Sequence, residues 1–285
     1  MSAVTVPARA KLNLSLDVLG KRPDGFHNLR MVMLSCSLAD DVTVEEASAG
    51  DYVAHTNRTY IPTGDKNVAV KAARAYYAAL GREGGAHIKI TKRIPVCAGL
   101  GGGSSDAAAV LRALNELNGG ALDDERLYAA AMEAGSDVPY CLMGGAALAE
   151  GRGEKLTALP ALPRTHVVIC MPHFSCSTPE LFGRIDARRR RCHPDTNGII
   201  DAITRGDVRG VAQRMYNVFE DVLDARASRT VNSLKFQLLD SGALGAAMSG
   251  SGSAVFGLFP DEASARAAYS EVKANCREVF LAAAE

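Results

Sequence analysis

The chain has 285 residues, 47% of them hydrophobic and 22% charged, a globular balance that excludes a disordered or fibrous protein. Its 32 Lys and Arg equal its 32 Asp and Glu, so no broad positive surface is expected for nucleic acid or an anionic membrane. No apolar run reaches the roughly 18 residues of a membrane span, and Arg9, Lys11 and Asp17 interrupt the first 20 residues, so neither signal peptide nor membrane anchor is expected and the cytoplasm is the predicted location.

In chain order, the opening segment alternates. Val4, Val6, Ala8, Ala10, Leu12, Leu14, Leu16 and Val18 take the even positions, and Thr5, Arg9, Lys11, Asn13, Ser15 and Asp17 the odd ones. Period two predicts a strand with one buried face, and Pro7, lacking a donor, predicts an edge near its start. Shorter alternations at 42–44 and 87–92 predict further strands, the second with Ile88 and Ile90 on one side. Helices are predicted over 67–80, closed by Gly81, over 104–117, stopped by Asn118-Gly119, and over 123–134, ended by Gly135. A Pro-bearing connector at 159–163 precedes an apolar strand at 166–171, and a Gly/Ser loop at 249–253 precedes another. Without strict βαβ alternation the pattern favours the α+β class, with a boundary that divides the chain into 1–158 and 159–285. Seven cysteines are scattered without a CxxC pair, and adjacent Cys192-His193 cannot chelate alone, so reduced thiols and no zinc centre are expected.

Pro95-Val96-Cys97-Ala98-Gly99-Leu100-Gly101-Gly102-Gly103-Ser104-Ser105 stands between a strand and the strongest helix. Glycines let backbone N–H groups converge on an anion, and a helix N-terminus adds its dipole at the same place. A capped turn needs one or two glycines; four in five residues suit a polyphosphate. No Lys follows them as a Walker A loop requires, Ser104 stands where a third dinucleotide-fold glycine would be, and Val68-Ala69-Val70-Lys71 lies in a helical pattern with no protein-kinase HRD or DFG elsewhere.

The GLGGGSSDAA core of 95–108 resembles the second motif of the GHMP kinases, 7–14 (PARAKLNL) resembles their first and 248–253 (MSGSGS) their third, in family order. The resemblance implies a two-domain α+β fold with ATP between the domains. It also implies Mg²⁺ on the ATP phosphates, with Ser105 as candidate metal ligand. Asp24-Gly25-Phe26-His27, 67–71 and Gly135-Ser136-Asp137-Val138-Pro139 point within the family to an acceptor alcohol carrying cytidine diphosphate.

Lys11 and Asn13 stand roughly 6.6–6.8 Å apart along the strand, close enough to address one ligand. A lysine on a polar strand face is ordinarily solvated; the resemblance places Lys11 beside the acceptor hydroxyl and the transferring phosphate. Asp137 opens an apolar run and by itself reads equally as a helix cap; the matching family position carries the catalytic aspartate. Asn67, Val68, Lys92 and residues 95–105 correspond to the nucleotide side. Phe26, His27, Thr178 and Phe182 correspond to the cytidine side, with the two phenylalanines expected to sandwich the base and His27 to read its edge. Phe26 replaces a frequent family Tyr, and Pro172-His173 a frequent Pro-Gly. Arg188 to Arg191 reads as a solvated basic run. A homoserine or mevalonate kinase, or an ATP sensor without turnover, are the alternatives; the first leaves Asp24 to His27 with nothing to read, the second leaves Lys11 and Asp137 without purpose. A monomer or homodimer is expected.

Overall fold

A computed structural model describes residues 2–188 and 192–285. Its contacts group the chain into two compact units: Met1–Ala10, Ala39–Val96 and Gly101–Gly144, and Lys11–Leu38, Cys97–Leu100 and Gly145–Glu285. The long strands β1 (Ala3–Lys21) and β2 (His27–Ala47) contribute residues to both.

In the first unit the order is β3-β4-β2-β1. Here β3 (Tyr52–Thr56) runs parallel to β4 (Gly85–Thr91), and β4 antiparallel to the end of β2. That order leaves the start of β1, with Pro7, at the edge of the sheet, where a residue without a backbone donor is tolerated. Four helices belong to this unit: α1 (Val68–Leu80), α2 (Gly102–Leu117), α3 (Asp124–Ala134) and α4 (Val138–Met143). Val42, Val44, Ile88 and Ile90 from the sheet share one core with Ala69, Ala73 and Tyr76 of α1 and with Ala107, Val110, Leu111 and Leu114 of α2. The many alanines bring α1 and α2 close together, as small side chains allow. Helix α2 starts two residues earlier than its pattern predicts, because Gly101 takes a left-handed φ of 69° and turns the chain directly into the helix.

In the second unit the order is β6-β5-β2-β1-β8. Here β5 (Ala146–Gly151) pairs antiparallel with β2 and with β6 (Lys155–Ala158), and β8 (Tyr216–Asn217) runs parallel to β1 at Ser15 and Leu16. A second, antiparallel sheet has the order β11 (Glu278–Ala283), β7 (His166–Met171), β10 (Val255–Phe259), β9 (Gly245–Met248). Among the described residues five α-helices accompany it: α5 (Thr178–Asp186), α6 (Thr196–Thr204), α7 (Val208–Gln213), α8 (Ala225–Asp240) and α9 (Glu262–Val272).

The structure corrects the reading of β1 as half-buried. From Ala10 to Val18 both faces are buried, including Lys11, Asn13, Ser15 and Asp17. Each of those polar groups has a hydrogen-bond partner: Lys11 donates to Asn13, Ser15 Oγ accepts from the Val32 N–H, and Asp17 bonds His193. Of the arginine run, Arg188 donates to the Asp221 carbonyl at 2.7 Å, and Arg189, Arg190 and Arg191 lie outside the described residues. Among the described residues no helix is long and apolar enough to cross a membrane.

Candidate active site

The second unit gathers parts of all three motifs. The Lys11 N–H donates to the Leu100 carbonyl at 2.9 Å, and the Ala254 N–H to the Ala98 carbonyl at 3.1 Å, so the loop 97–100 is stitched to β1 on one side and to the 249–253 loop on the other. Ser249 Oγ donates to the Gly99 carbonyl (2.9 Å) and accepts from the Asn13 N–H (3.2 Å). Asn217 holds the same loop through the carbonyls of Met248 and Gly250. A Cβ on Gly99 would lie 2.0 Å from the Ser249 oxygen, and one on Gly250 would lie 3.2 Å from Lys11 Nζ. Glycine is therefore required where the loops touch.

Lys11 itself is 6% exposed. Its ammonium donates to Asn13 Oδ1 at 2.5 Å and has no carboxylate partner within 4.0 Å among the described residues. A buried ammonium held only by a neutral amide is an incomplete charge pair, and an anion completes it. Thr178, exposed at the start of α5, shares a 2.7 Å hydroxyl contact with Ser251 of the third motif.

In the first unit, α2 begins at Gly102 with Gly101 in the capping position and no side-chain cap. The first-turn N–H groups of a helix have no intrahelical partner. Here they are offered bare at Gly102, Gly103 and Ser104, a geometry suited to phosphate oxygens. Ser105 is different. Its hydroxyl is buried and donates to the Arg9 carbonyl at 2.5 Å, anchoring the helix to β1. Pro95 is buried, Val96 and Cys97 are exposed, and Cys97 takes a left-handed φ of 57°. Asn67 caps α1: its Oδ1 accepts from the Ala69 N–H (2.9 Å) and its Nδ2 donates to the Pro62 carbonyl (2.8 Å). Val68, the first residue of α1, flanks Gly135, ahead of Asp137. Asp137 occupies the capping position of α4 yet makes no capping bond, and its half-buried carboxylate has no hydrogen bond among the described residues. The cap half of its reading fails on that geometry.

Lys92 points away from open space. Its ammonium binds Asp106 Oδ2 at 2.7 Å and also Asp40 Oδ2, and all three side chains are buried. Burial opposes the lysine's charge, but Asp106 and Asp40 outweigh it and raise its pKa. Burial pushes the Asp106 carboxyl up to about 7 against the pull of Lys92. Nothing in the spacing of residues 40, 92 and 106 announces this cluster; β2, the end of β4 and the second turn of α2 bring them together.

On the acceptor side, His27 is buried and stacks on Phe182, ring centroids 4.4 Å apart at 15°, while Phe219 meets Phe182 edge-on at 5.0 Å. His27 Nε2 is hydrogen-bonded to Asp186 Oδ1 at 2.8 Å. The imidazole thus lies against one face of Phe182, with Asp186 fixing its Nε2. Phe26 stands 55% exposed on the turn after β1, with the Arg152 guanidinium 5.0 Å above its ring. Asp186 and Arg152 carried no local signal in the sequence. Among the described residues no group of three His, Cys, Asp or Glu could hold a metal ion.

Two family models match the chain, GHMP kinases N terminal domain over residues 67–145 and GHMP kinases C terminal over 199–278. A 4-diphosphocytidyl-2-C-methyl-D-erythritol kinase of Acetivibrio thermocellus is 42% identical over 281 residues, 99% of each chain. A crystal structure of 4-(cytidine 5'-diphospho)-2C-methyl-D-erythritol kinase superimposes with a TM-score of 0.82 at 36% identity, covering 99% of both chains. A homoserine kinase from Cytophaga hutchinsonii shares the fold, with a TM-score of 0.78 at 21% identity over 100% of this chain and 95% of its own.

Proposed function

The chain belongs to the GHMP kinase family, and from that membership we propose that it transfers the γ-phosphoryl group of ATP to the 2-hydroxyl of 4-diphosphocytidyl-2-C-methyl-D-erythritol. The step belongs to the methylerythritol phosphate route to isopentenyl diphosphate. Residues 1–158 take the nucleotide-binding role, and 159–285 form the C-terminal family domain.

Buried Lys11, with Asn13 as its polar neighbour and no carboxylate among the described residues to neutralise it, is the observation that carries this reading. Phosphoryl transfer spreads negative charge over the moving group, and a fixed ammonium in a dry site stabilises it strongly. Asp137, free of capping duty, accepts the hydroxyl proton. A bond forms from the acceptor oxygen to Pγ, the bond from Pγ to the β,γ-bridging oxygen breaks, and ADP leaves. The bare first turn of α2 and the loop 97–100 supply N–H groups for the phosphates, with Asn67, Val68 and the 95–105 segment around the nucleotide. Phe26, Thr178, His27 and Phe182 form the acceptor side.

Mg²⁺ accompanies ATP as part of the substrate. Ser105 is a poor fit as its ligand, because the buried hydroxyl is engaged with the Arg9 carbonyl, and no step is assigned to a metal on this chain.

An assay of ADP release with three acceptors tests the proposal. The cytidyl substrate should turn over, and homoserine and mevalonate should not. Preferred use of either of the latter, or ATP binding with no turnover on any, overturns the assignment.

A further inference from the structure

A glycine-rich loop is costly to order, so its working geometry depends on how firmly its ends are held. Both ends of this loop meet at one buried charge cluster. Asp40 Oδ1 accepts the backbone N–H groups of Arg93 and Ile94 (2.8 Å for Ile94), fixing the chain just before Pro95. Asn57 adds a 2.8 Å bond from its Oδ1 to the Lys92 N–H. The Lys92 ammonium then bridges Asp40 to Asp106, in the second turn of α2. The ammonium also packs beneath the helix start, 3.2 Å from where a Cβ on Gly102 would sit.

The remaining oxygen of Asp106, Oδ1, is buried and has no hydrogen-bond partner among the described residues. Burying an under-satisfied carboxylate costs stability that an apolar side chain would keep, so a plain packing role does not account for it. Charged neighbours of Asp106 are Asp40 from β2 and Lys92 from the end of β4; α1 packs on α2 through Ala69, Val70, Ala73 and Tyr76, and the first turn of α2 holds no acidic residue.

We propose that Lys92, Asp40 and Asp106 are positioning residues that clamp the entry and exit of the glycine-rich loop and thereby aim the first-turn N–H groups of α2 at the nucleotide phosphates. The proposal rests on the kinase reading of that loop. It assigns Lys92 to the helix and not to the nucleotide: the ammonium touches two carboxylates of the protein and acts through them.

The test measures nucleotide affinity directly, by titrating MgADP and a non-hydrolysable ATP analogue, alongside KM and kcat. Asp106→Ala, which cuts the tie to α2, should weaken nucleotide binding and raise the KM for ATP by about tenfold, because ordering the loop is then charged to binding. kcat at saturating ATP and the KM for the acceptor should each change by less than about twofold, since bound nucleotide restores the loop. Backbone amides of residues 93–106 should exchange hydrogen faster in the free variant and return toward wild type with nucleotide. Asp106→Asn keeps the volume and serves if the alanine variant does not fold; it should show the same pattern, smaller. Unchanged nucleotide affinity in a folded variant, or a fall in kcat with KM for ATP unchanged, overturns the clamp and leaves the kinase assignment standing. Wild-type protein that binds neither nucleotide overturns both.

Discussion

Burying an ammonium without an anion costs stability, and a protein keeps such a group where a ligand supplies the missing charge. Lys11 is buried in this way, and the cost of its burial can be separated from its proposed role in transfer by one substitution. Lys11→Met should raise stability, by about 1 kcal/mol or more in denaturant melts, because an apolar chain replaces an uncompensated charge. The same variant should lose roughly 10²- to 10³-fold in kcat through lost charge stabilisation. A less stable Lys11→Met protein would mean that the ammonium is already compensated. Asp137→Asn should lower turnover roughly 10²- to 10⁴-fold while ATP still binds, and the melting temperature should barely move because the side chain caps nothing. Near-normal turnover would leave Asp137 without a proton-accepting role. Asp186 gives a pH signature. Its hydrogen bond to His27 holds the carboxyl below the ordinary range, with burial opposing. A carboxyl with a lowered folded-state pKa lends stability above its unfolded value, about 4, and loses it as pH falls through the folded one. Asp186→Asn should therefore flatten the acid limb of the stability curve below about pH 4.

At the scale of the element, the glycines of the loop do unlike jobs. Gly99 has φ 76° and stands where a Cβ would strike the Ser249 carbonyl at 2.0 Å, so Gly99→Ala should displace the loop and lower the melting temperature. Gly103 lies inside α2 with no atom within 4 Å of an added Cβ. Gly103→Val should leave the fold intact, with stability changed by less than about 1 kcal/mol, yet abolish measurable ATP binding by covering the bare N–H groups. Intact nucleotide affinity in that variant would reduce the loop to a turn. The Asn67 cap is real, and Asn67→Ala should cost about 1 kcal/mol. The helix starts themselves were legible because caps and apolar spacing are local: Asp123 caps α3 through the Arg126 N–H, and Gly81 ends α1 in the left-handed region. Only the start of α2 was misread, since a glycine there gives no side-chain cap to see.

For the molecule as a whole, the acceptor is the property to test. Replacing cytidine by uridine exchanges an amino donor for a carbonyl acceptor, and unpaired buried polar groups cost about 1–3 kcal/mol, so kcat/KM should fall at least several-fold with the uridine analogue. Phe26→Ala should raise the KM for the cytidyl substrate, since stacking on an aromatic ring is worth about 1–3 kcal/mol, and should leave the KM for ATP alone. Equal use of both analogues would remove the base-specific contact. By itself the sequence determined the α+β class, helices α1, α2 and α3, strands β1, β4, β7 and β10, the three motifs and the family, because period, caps and contiguous glycines act over a few residues. Tertiary structure alone decided which polar groups are paired. The odd face of β1 is buried; Lys92 meets carboxylates 52 and 14 residues away, and His27 meets Asp186 across 159 residues. The physical reason is that such pairs are set by sheet register and helix packing, which bring together residues whose local patterns carry no record of one another.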